Sequence, residues 1–319
     1  MMKTRITEVF NIKYPIIQGG MQHVGRPKLV AAVSNAGGLG ILTASSYKTK
    51  EDLLAAIKET KQLTKQPFGF NLSTSGTAED IDRNVGIVID EGIQVVETSG
   101  RNPGAIIEKL KAAGVKVFHK IPHVRFAKKL EEQGFDAIAV VGFEAGGHPG
   151  PFGVTSEIVA MEVVDAVSIP VIMGGGIYDG RGLLAALSYG AEGILMGSRF
   201  VATVEAEVND RFKEWMVGAA STDTLTVKSD NPNRIAKTKA AYEVLGHEFG
   251  GKTLDEIHKM MLSMKGRDAW ESGDTDKYLH SIGQIIGLIK SVDTCEKVIA
   301  DIVKQATDIL NNKLVKEFQ

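Results

Sequence analysis

Short apolar runs alternate with amphipathic stretches over residues 1–200. The apolar runs are rich in β-branched and aliphatic side chains, which favour strands, and there are eight of them: "YPIIQG", "GLGILTA", "PFGFNLS", "IQVVETS", "VKVFHKI", "FDAIAVVG", "PVIMGG" and "GILMGSRF". The stretches between them place apolar residues at helical spacing, and three of them end in a glycine that is typical of a helix terminus, as in "KEDLLAAIKETKQL", "PGAIIEKLKAAG", "VRFAKKLEEQG" and "GRGLLAALSYG". This alternation predicts βα units and a parallel sheet.

Eight such units predict a TIM-like (β/α)8 barrel over residues 1–200. An open doubly wound sheet is disfavoured because no dinucleotide fingerprint follows the first strand. After Phe200 the pattern changes to charged amphipathic helices, predicted at "EAEVNDRFKEWMVGAA", "RIAKTKAAYEVLG", "TLDEIHKMMLSMKG" and "SVDTCEKVIADIVKQATDILNNKL". Residues 201–319 are therefore predicted to form a helical appendage, or lid, over the carboxyl-terminal face of the barrel.

Composition excludes several partners without identifying one. The 319 residues are 43% hydrophobic and 24% charged, and the formal net charge of -2 offers no basic surface for a nucleic acid or an anionic membrane. No apolar run is long enough to span a bilayer, and the charged N-terminus does not resemble a signal peptide. The single cysteine, Cys295, excludes an internal disulfide, so a cytoplasmic location is expected.

The residues just after each predicted strand carry the candidate chemistry, because TIM-barrel active sites lie where strands end. The glycines Gly174, Gly175, Gly176 and Gly197, with Ser198, follow strands seven and eight, where many barrels bind phosphate. These loops predict a phosphate-bearing cofactor, although glycines of this kind also make simple tight turns.

Two further strand ends carry ionisable groups. "GFEAGGHPGPFG" follows strand six and holds a lone histidine, His148, which is either a proton-exchanging group or a solvated loop residue. Strand five ends in His119 and Lys120, whose side chains point to opposite faces, and we expect Lys120 to enter the site. The other histidines show no metal-ligand spacing, so no metal site is predicted; only His23, close to the first strand, is a weak candidate for substrate contact.

Taken in order, "PIIQGGM", "NAGGLGILTA", "FGFNLS", "VFHK", "GFEAGGHPG", "PVIMGGGIYDGRGLLAALSYGAEGILMGSRF" and "GDTDKYLHSIGQIIGLI" resemble the nitronate monooxygenase family, formerly called 2-nitropropane dioxygenases. The resemblance covers nearly the whole chain. Within the family, "GDTD" and "SIGQIIGLI" resemble the branch that contains an NADH:quinone reductase, and the flavin-dependent enoyl-acyl-carrier-protein reductases form a more distant branch.

The resemblance implies FMN at the carboxyl-terminal face of the barrel. It assigns the phosphate to the glycines of strands seven and eight and to Ser198, and it implies that His148 acts as a base or orients the substrate. Gln284 matches a position that reaches the flavin, and the alternatives for it are a helix cap or a surface amide. The remaining residues implied to contact the cofactor are Gly20, Met21, Asn71, Lys120 and Gly147.

The leading activity that the resemblance implies is the oxidation of alkyl nitronates with O2. The alternative is the reduction of a quinone or another acceptor, with NADH or NADPH as a transient hydride donor, although the short "STSGTAEDID" loop departs from the quinone reductase pattern. Two further alternatives are enoyl-thioester reduction, with Met260, Met261 and Met264 lining a channel or packing in a core, and a flavin-binding module without turnover. The late helices and "DRFKEWMVGAA" are expected to pack on their own domain or in a homodimer.

Overall fold

Eight parallel strands close into a barrel in the computed structural model, which describes residues 2–228 and 232–317. Each strand pairs with the next in chain order, and the first pairs with the eighth, where Ile17 lies opposite Leu195. The strands are β1 (Ile16–Gln18), β2 (Leu39–Thr43), β3 (Gly69–Ser73), β4 (Val95–Ser99), β5 (Lys116–Ile121), β6 (Ala137–Val141), β7 (Val171–Gly174) and β8 (Gly193–Met196). The predicted TIM-like (β/α)8 fold is confirmed.

Helices follow the strands and continue beyond the barrel. The α-helices are α1 (Arg5–Val9), α2 (Pro27–Asn35), α3 (Lys50–Leu63), α4 (Ala78–Asp90), α5 (Gly104–Ala112), α6 (Ala127–Glu132), α7 (Ser156–Ala166), α8 (Gly180–Ser188), α9 (Ser198–Val201), α10 (Asp210–Gly218), α11 (Lys239–Phe249), α12 (Leu254–Ser263), α13 (Arg267–Ser272), α14 (Cys295–Ile309) and α15 (Val315–Glu317). Short 3-10 turns cover Ala44–Ser46, Val124–Phe126 and Gln284–Leu288, and a π-helical turn covers Leu310–Leu314.

The barrel interior is apolar at its amino-terminal end and polar at its carboxyl-terminal end. Alternate strand residues such as Ile41, Val95 and Phe118 fill the lower interior. Helix α1 closes that end, where the ring of Phe10 lies 5.3 Å from that of Phe118. Because this end is filled, the interior opens at the carboxyl ends of the strands.

The C-terminal region contains two strands in addition to the helices that the sequence predicts. A hairpin of β9 (Thr224–Val227) and β10 (Asn233–Ala236) precedes α11, so the helix predicted from "RIAKTKAAYEVLG" begins only at Lys239, and its first residues are a strand. The hairpin, α11 and α12 share a small apolar core of their own, which includes Val227, Ile257 and Met261. We call residues 224–281 the cap, with residues 229–231 outside the described part.

The last long helix belongs to the barrel rather than to a lid. Apolar residues of α14 pack against α2 and α8 and fill the place left by α9, which is only four residues long. Gly180 allows this contact, because a Cβ there would lie 2.4 Å from the backbone nitrogen of Ala306. The domain division at residue 200 stays a prediction. Of the predicted lid, the cap lies over the cavity, whereas α14 packs on the side of the barrel.

We expect Gly180→Ala to destabilise the fold by about 1–3 kcal/mol, because the added methyl group forces α8 and α14 apart. Gly86→Ala is the matched control: Gly86 lies in α4, and a methyl group added there would meet no described atom within 4 Å, so this variant should gain about 1 kcal/mol. Thermal denaturation should therefore move the two melting temperatures in opposite directions. Equal melting temperatures would contradict close packing of α14 on the barrel.

Candidate active site

One large cavity of about 1070 Å³ opens at the carboxyl ends of the barrel strands. The loops after the strands form its floor and sides, and the cap forms part of its roof through residues such as Asn233, Met261 and Lys265. This volume is slightly larger than the range of about 300–1,000 Å³ that is usual for small-molecule sites. The cavity therefore has room for a cofactor together with a second ligand.

Most of the predicted site residues lie on the wall of this cavity: Gly20, Met21, Asn71, Lys120, Gly147, His148, Gly175, Gly176, Gly197 and Ser198. Two predicted residues do not. Gly174 is the buried last residue of β7, and its carbonyl accepts a hydrogen bond from the Ser156 hydroxyl at 2.9 Å. Gln284 donates its backbone N–H to the carbonyl of Glu144, and its neighbours Gly283 and Ile285 line the cavity in its place.

The loops after β7 and β8 form a cradle of backbone donors. Gly175 and Gly176 have φ angles of 94° and 70°, which are strained for any residue with a Cβ. Within residues 2–228 and 232–317, no protein acceptor takes the backbone N–H groups of Gly175, Gly176, Gly197 and Ser198. The Ser198 hydroxyl accepts the Gly283 N–H at 2.8 Å and keeps its own proton to donate. Unpartnered N–H groups on a cavity wall fit a phosphate.

The cavity floor holds a buried carboxylate, Glu97. Its Oε1 accepts hydrogen bonds from Asn71 Nδ2 at 2.6 Å and from the Gly20 N–H at 3.1 Å, and it lies 2.8 Å from Lys120 Nζ. The Glu97 side chain is 0% exposed, whereas that of Lys120 is 20% exposed and reaches the cavity. A buried carboxylate is tolerated only with such partners, and it fixes three predicted site residues relative to one another.

Glu97 is a site residue that the sequence analysis missed, although a signal was present. In β4, Val95 and Glu97 share the interior face, while Val96 and Thr98 point outwards. A charged residue at an interior position near the end of a barrel strand indicates a site by the same argument that selected Lys120. The candidates were sought among the residues just after each predicted strand, whereas Glu97 lies inside β4.

His119 and Lys120 occupy opposite faces of β5, as the strand alternation requires. Nδ1 of His119 lies 2.8 Å from the Thr98 hydroxyl, and the ring packs beside Phe135. Burial lowers the pKa of His119 to about 4, so the ring is neutral at physiological pH. Lys120 points into the barrel towards Glu97 instead.

The loop that carries His148 is fastened to the cap. Gly147 and Arg234 exchange two backbone hydrogen bonds of 2.9 and 2.7 Å, and Arg234 Nε donates to the carbonyl of Phe143 at 3.0 Å. A Cβ at Gly146 would lie 2.6 Å from the backbone of Ile282. These contacts hold the histidine at a set place between the barrel and the cap.

The His148 ring is open to the cavity and is held through one nitrogen. Its Nε2 lies 2.9 Å from Asn233 Nδ2, and Nδ1 has no hydrogen-bond partner in the described part of the chain. The residue is exposed towards the cavity, and desolvation by the protein around the cavity lowers the pKa of His148 to about 4, with a further contribution from the charge of Lys265. The ring is therefore neutral near pH 7, as a proton acceptor must be.

The ionisable groups on the cavity wall also include Lys265 and His23. Nζ of Lys265 has no carboxylate or other acceptor within bonding distance among the described residues, and burial lowers its pKa to about 8. His23 has a φ angle of 65°, which is strained for a histidine, and its Nδ1 is buried without a partner in the described ranges. His23 therefore lies where a substrate could reach it, and its contact with a substrate stays a prediction.

The fold and the cavity define a class of protein: a (β/α)8-barrel enzyme with a cofactor-sized site at the carboxyl ends of its strands. The sequence pattern described as "Nitronate monooxygenase" matches residues 3–305. The chain belongs to the nitronate monooxygenase family, and it is an oxidoreductase.

Three similar proteins carry different names. The "(3aS,4S,5R,7aS)-5-hydroxy-7a-methyl-1-oxo-octahydro-1H-indene-4-carboxyl-CoA dehydrogenase" of Rhodococcus jostii (strain RHA1) is 36% identical over 96% of both chains. The "Probable nitronate monooxygenase" of Staphylococcus aureus (strain JH9) is 34% identical over 71% of this chain and 76% of its own. The structure of FabK from Thermotoga maritima superimposes with a TM-score of 0.92 at 35% identity and full coverage of both chains.

Membership in this family supports a flavin cofactor. The placement in the quinone reductase branch stays a prediction. No helix in the described ranges combines the length and the apolar character that a bilayer crossing requires. The same ranges hold no group of three side chains arranged to bind a metal ion.

Proposed function

We propose that the protein is an FMN-dependent oxidoreductase that acts on an acyl-CoA thioester, moving a proton and a hydride at carbons activated by the thioester carbonyl. One observation carries this proposal: the cavity continues beyond the cofactor cradle to a wide cationic mouth. A nitronate or a simple quinone has no use for such an extension, whereas the nucleotide of coenzyme A carries phosphates that would pair with its cations and a base that would stack on its aromatic rings.

The mouth lies over the loops after β4, β5 and β6. Arg101, Arg125 and Lys129 line it, and in the described part of the chain none of them has a carboxylate within ion-pair distance. The guanidinium of Arg125 lies 4.6 Å from the centre of the Phe126 ring and 4.7 Å from that of Phe152. Exposed aromatic rings stacked with arginine suit an adenine base, and unpaired cations suit its phosphates. The name of the Rhodococcus relative supports the same class of substrate.

The cradle after β7 and β8 would hold the FMN phosphate. The ring system would then extend over the floor, where Met21, Asn71 and Lys120 line the cavity beside Glu97. A bound flavin supplies two-electron chemistry by accepting or returning a hydride. The lysine offers positive charge to the ring, and Glu97 holds that charge in place.

His148 would exchange the substrate proton. Its neutral ring accepts a proton from carbon next to the carbonyl, and Asn233 holds the ring through Nε2 so that Nδ1 faces the substrate. Nδ1 can accept a proton only in the tautomer that carries hydrogen on Nε2, so the Asn233 amide would turn its Oδ1 towards Nε2 and accept that N–H both before and after the proton transfer.

The second candidate function is the oxidation of alkyl nitronates with O2, which the family pattern and the name of the Staphylococcus relative support. The same histidine and cradle serve this chemistry. Reduction of a quinone or another acceptor with NADH or NADPH uses the same cavity with a transient hydride donor, and it is the third reaction to be compared.

An anaerobic experiment separates these functions. The flavin spectrum of the purified protein is recorded, and separate samples then receive a panel of saturated and unsaturated acyl-CoA thioesters, propionate 3-nitronate, NADH or NADPH. Bleaching by a saturated thioester, or reoxidation of photoreduced flavin by an unsaturated one, supports the proposal. Bleaching by the nitronate alone favours the second candidate, and full reduction by a pyridine nucleotide with inert thioesters favours the third. A protein that binds neither flavin nor added FMN contradicts all three.

A further inference from the structure

We infer that Lys265 is the cation that binds the anionic oxygen of the substrate opposite His148. This rests on the proposed function, since it assigns a partner to the charge that forms when His148 removes a proton. Lys265 lies in the segment between α12 and α13, so the group would come from the cap and not from the barrel.

Lys265 and His148 lie on the wall of the same cavity. In keeping with this, the charge of Lys265 lowers the pKa of that histidine more than the charges of Lys120 and His258 do. Lys120 already has Glu97 as a partner at 2.8 Å. Lys265 is thus the cation next to His148 that remains available for a ligand, within the residues that the structure describes.

The ammonium group of Lys265 lies in a partly desolvated environment. A surface lysine extends into water, but this one lies partly buried, and the loss of hydration lowers its pKa. Keeping an unpaired ammonium group in such a place is unfavourable for stability. An anion that enters the cavity removes this penalty, so binding should be stronger than for an exposed lysine.

In the proposed proton transfer, His148 takes the proton and Lys265 pairs with the charge that is left on the substrate. The C–H bond next to the carbonyl breaks, the proton moves to Nδ1 of His148, and the electron pair forms a carbon–carbon double bond as the carbonyl becomes an enolate. The negative charge resides on the enolate oxygen, where the ammonium group of Lys265 pairs with it. A nitronate places its negative charge on oxygen in the same way, so the subsite accepts both kinds of anion.

Two ligands test the assignment on the flavin-loaded full-length protein. Acetoacetyl-CoA reports the charge directly, because its enolate absorbs in the ultraviolet where the keto form does not, and propionate 3-nitronate is a preformed anion of another class. The wild type should bind both and show the enolate band. Lys265→Met should weaken both by about 10- to 100-fold and lose the band, since one charge-assisted hydrogen bond disappears.

Two further variants complete the comparison. Lys265→Arg should keep most of the affinity because it keeps the charge. Lys259→Met is the matched control, since Lys259 lies on α12 but is exposed, pairs with Asp255 and does not line the cavity. Flavin content and circular dichroism should be the same for all variants, which separates the effect from misfolding.

The pH dependence gives a readout that a structural lysine would not. Anion affinity should fall as the pH rises through about 8, where Lys265 loses its proton, and Lys265→Met should lack this limb. The other ionisable groups on the surrounding elements include His148, His258, Lys120, Glu97, Glu144, Arg267, Asp268 and Glu271. Of these, His148 titrates near pH 4, far below the limb that Lys265 produces.

The outcomes distinguish the two proposals. If the wild type turns over acyl-CoA thioesters while Lys265→Met binds both anions as tightly as the wild type, the assignment of Lys265 is wrong and the proposed function stands. If the thioester does not bind but the nitronate binds in a Lys265-dependent manner, the subsite stands and the thioester function is wrong. If neither anion binds to the wild type, the subsite is wrong.

Discussion

Replacing His148 by alanine should lower the turnover of the flavin-loaded protein by about 10²- to 10⁴-fold, the usual contribution of a general base. The loss is expected to be large because, among the described residues, no other neutral imidazole lies between the barrel and the cap to replace His148 as the base. The flavin should stay bound, because the cradle after β7 and β8 does not involve this side chain. Stopped-flow measurement of flavin bleaching by the substrate found in the anaerobic experiment gives the rate directly.

His247→Ala is a suitable control, because this histidine lies on α11 and does not line the cavity. Asn233→Ala should have a smaller effect than His148→Ala, since it releases the ring without removing it. In the wild type, titration of His148 should leave kcat/KM unchanged between about pH 7 and 5. kcat/KM should then fall as the pH approaches 4, where the His148 ring gains a proton. Unchanged bleaching in the His148 variant would remove the catalytic assignment.

The barrel could be predicted from the sequence because its signals are local. Each apolar run and each amphipathic stretch is long enough to show its own period, and the strand order then follows from chain order in a closed parallel sheet. The glycine loop after β7 was recognisable for the same reason, since the backbone angles of Gly175 and Gly176 require glycine whatever surrounds them. The placement of these loops on a shared cavity wall follows from barrel geometry alone.

The cap was less predictable because its structure depends on tertiary contacts. β9 and β10 are only four residues each, too short for a period to separate strand from helix, and β10 begins with the polar residues Asn233 and Arg234. β10 is stabilised by pairing with Gly147 and Ser281, which are distant in sequence. Lys265 gave no sequence signal either, since its importance comes from the cavity that it faces.

Gly174 and Gln284 illustrate a limit of transferring motif positions. Both lie next to residues that do reach the cavity, and a shift of one position is enough to turn a side chain or an amide away from it. A motif therefore identified the correct segments, while the identity of the contacting residue required the backbone path.

The second large effect concerns the floor of the site. Glu97→Ala should lower the free energy of unfolding by about 3–5 kcal/mol, because it leaves the Lys120 ammonium group and the Asn71 amide without their shared acceptor. Urea denaturation gives this difference, with thermal denaturation as a second measure. Flavin retention should fall as well, since Gly20, Asn71 and Lys120 would lose their common support.

A double-mutant cycle shows whether the loss comes from the unpaired charge. Lys120→Met removes the cation alone, and the double variant Glu97→Ala with Lys120→Met should be more stable than the sum of the two single losses predicts, by about 0.5–3 kcal/mol. Glu97→Gln keeps an acceptor for Asn71 but withdraws the negative charge from Lys120, so it should lie between the wild type and Glu97→Ala. Additive single losses, or a Glu97→Ala variant within about 0.5 kcal/mol of the wild type, would mean that the carboxylate does not organise the floor. The positions of Lys120 and Asn71 would then depend on packing alone.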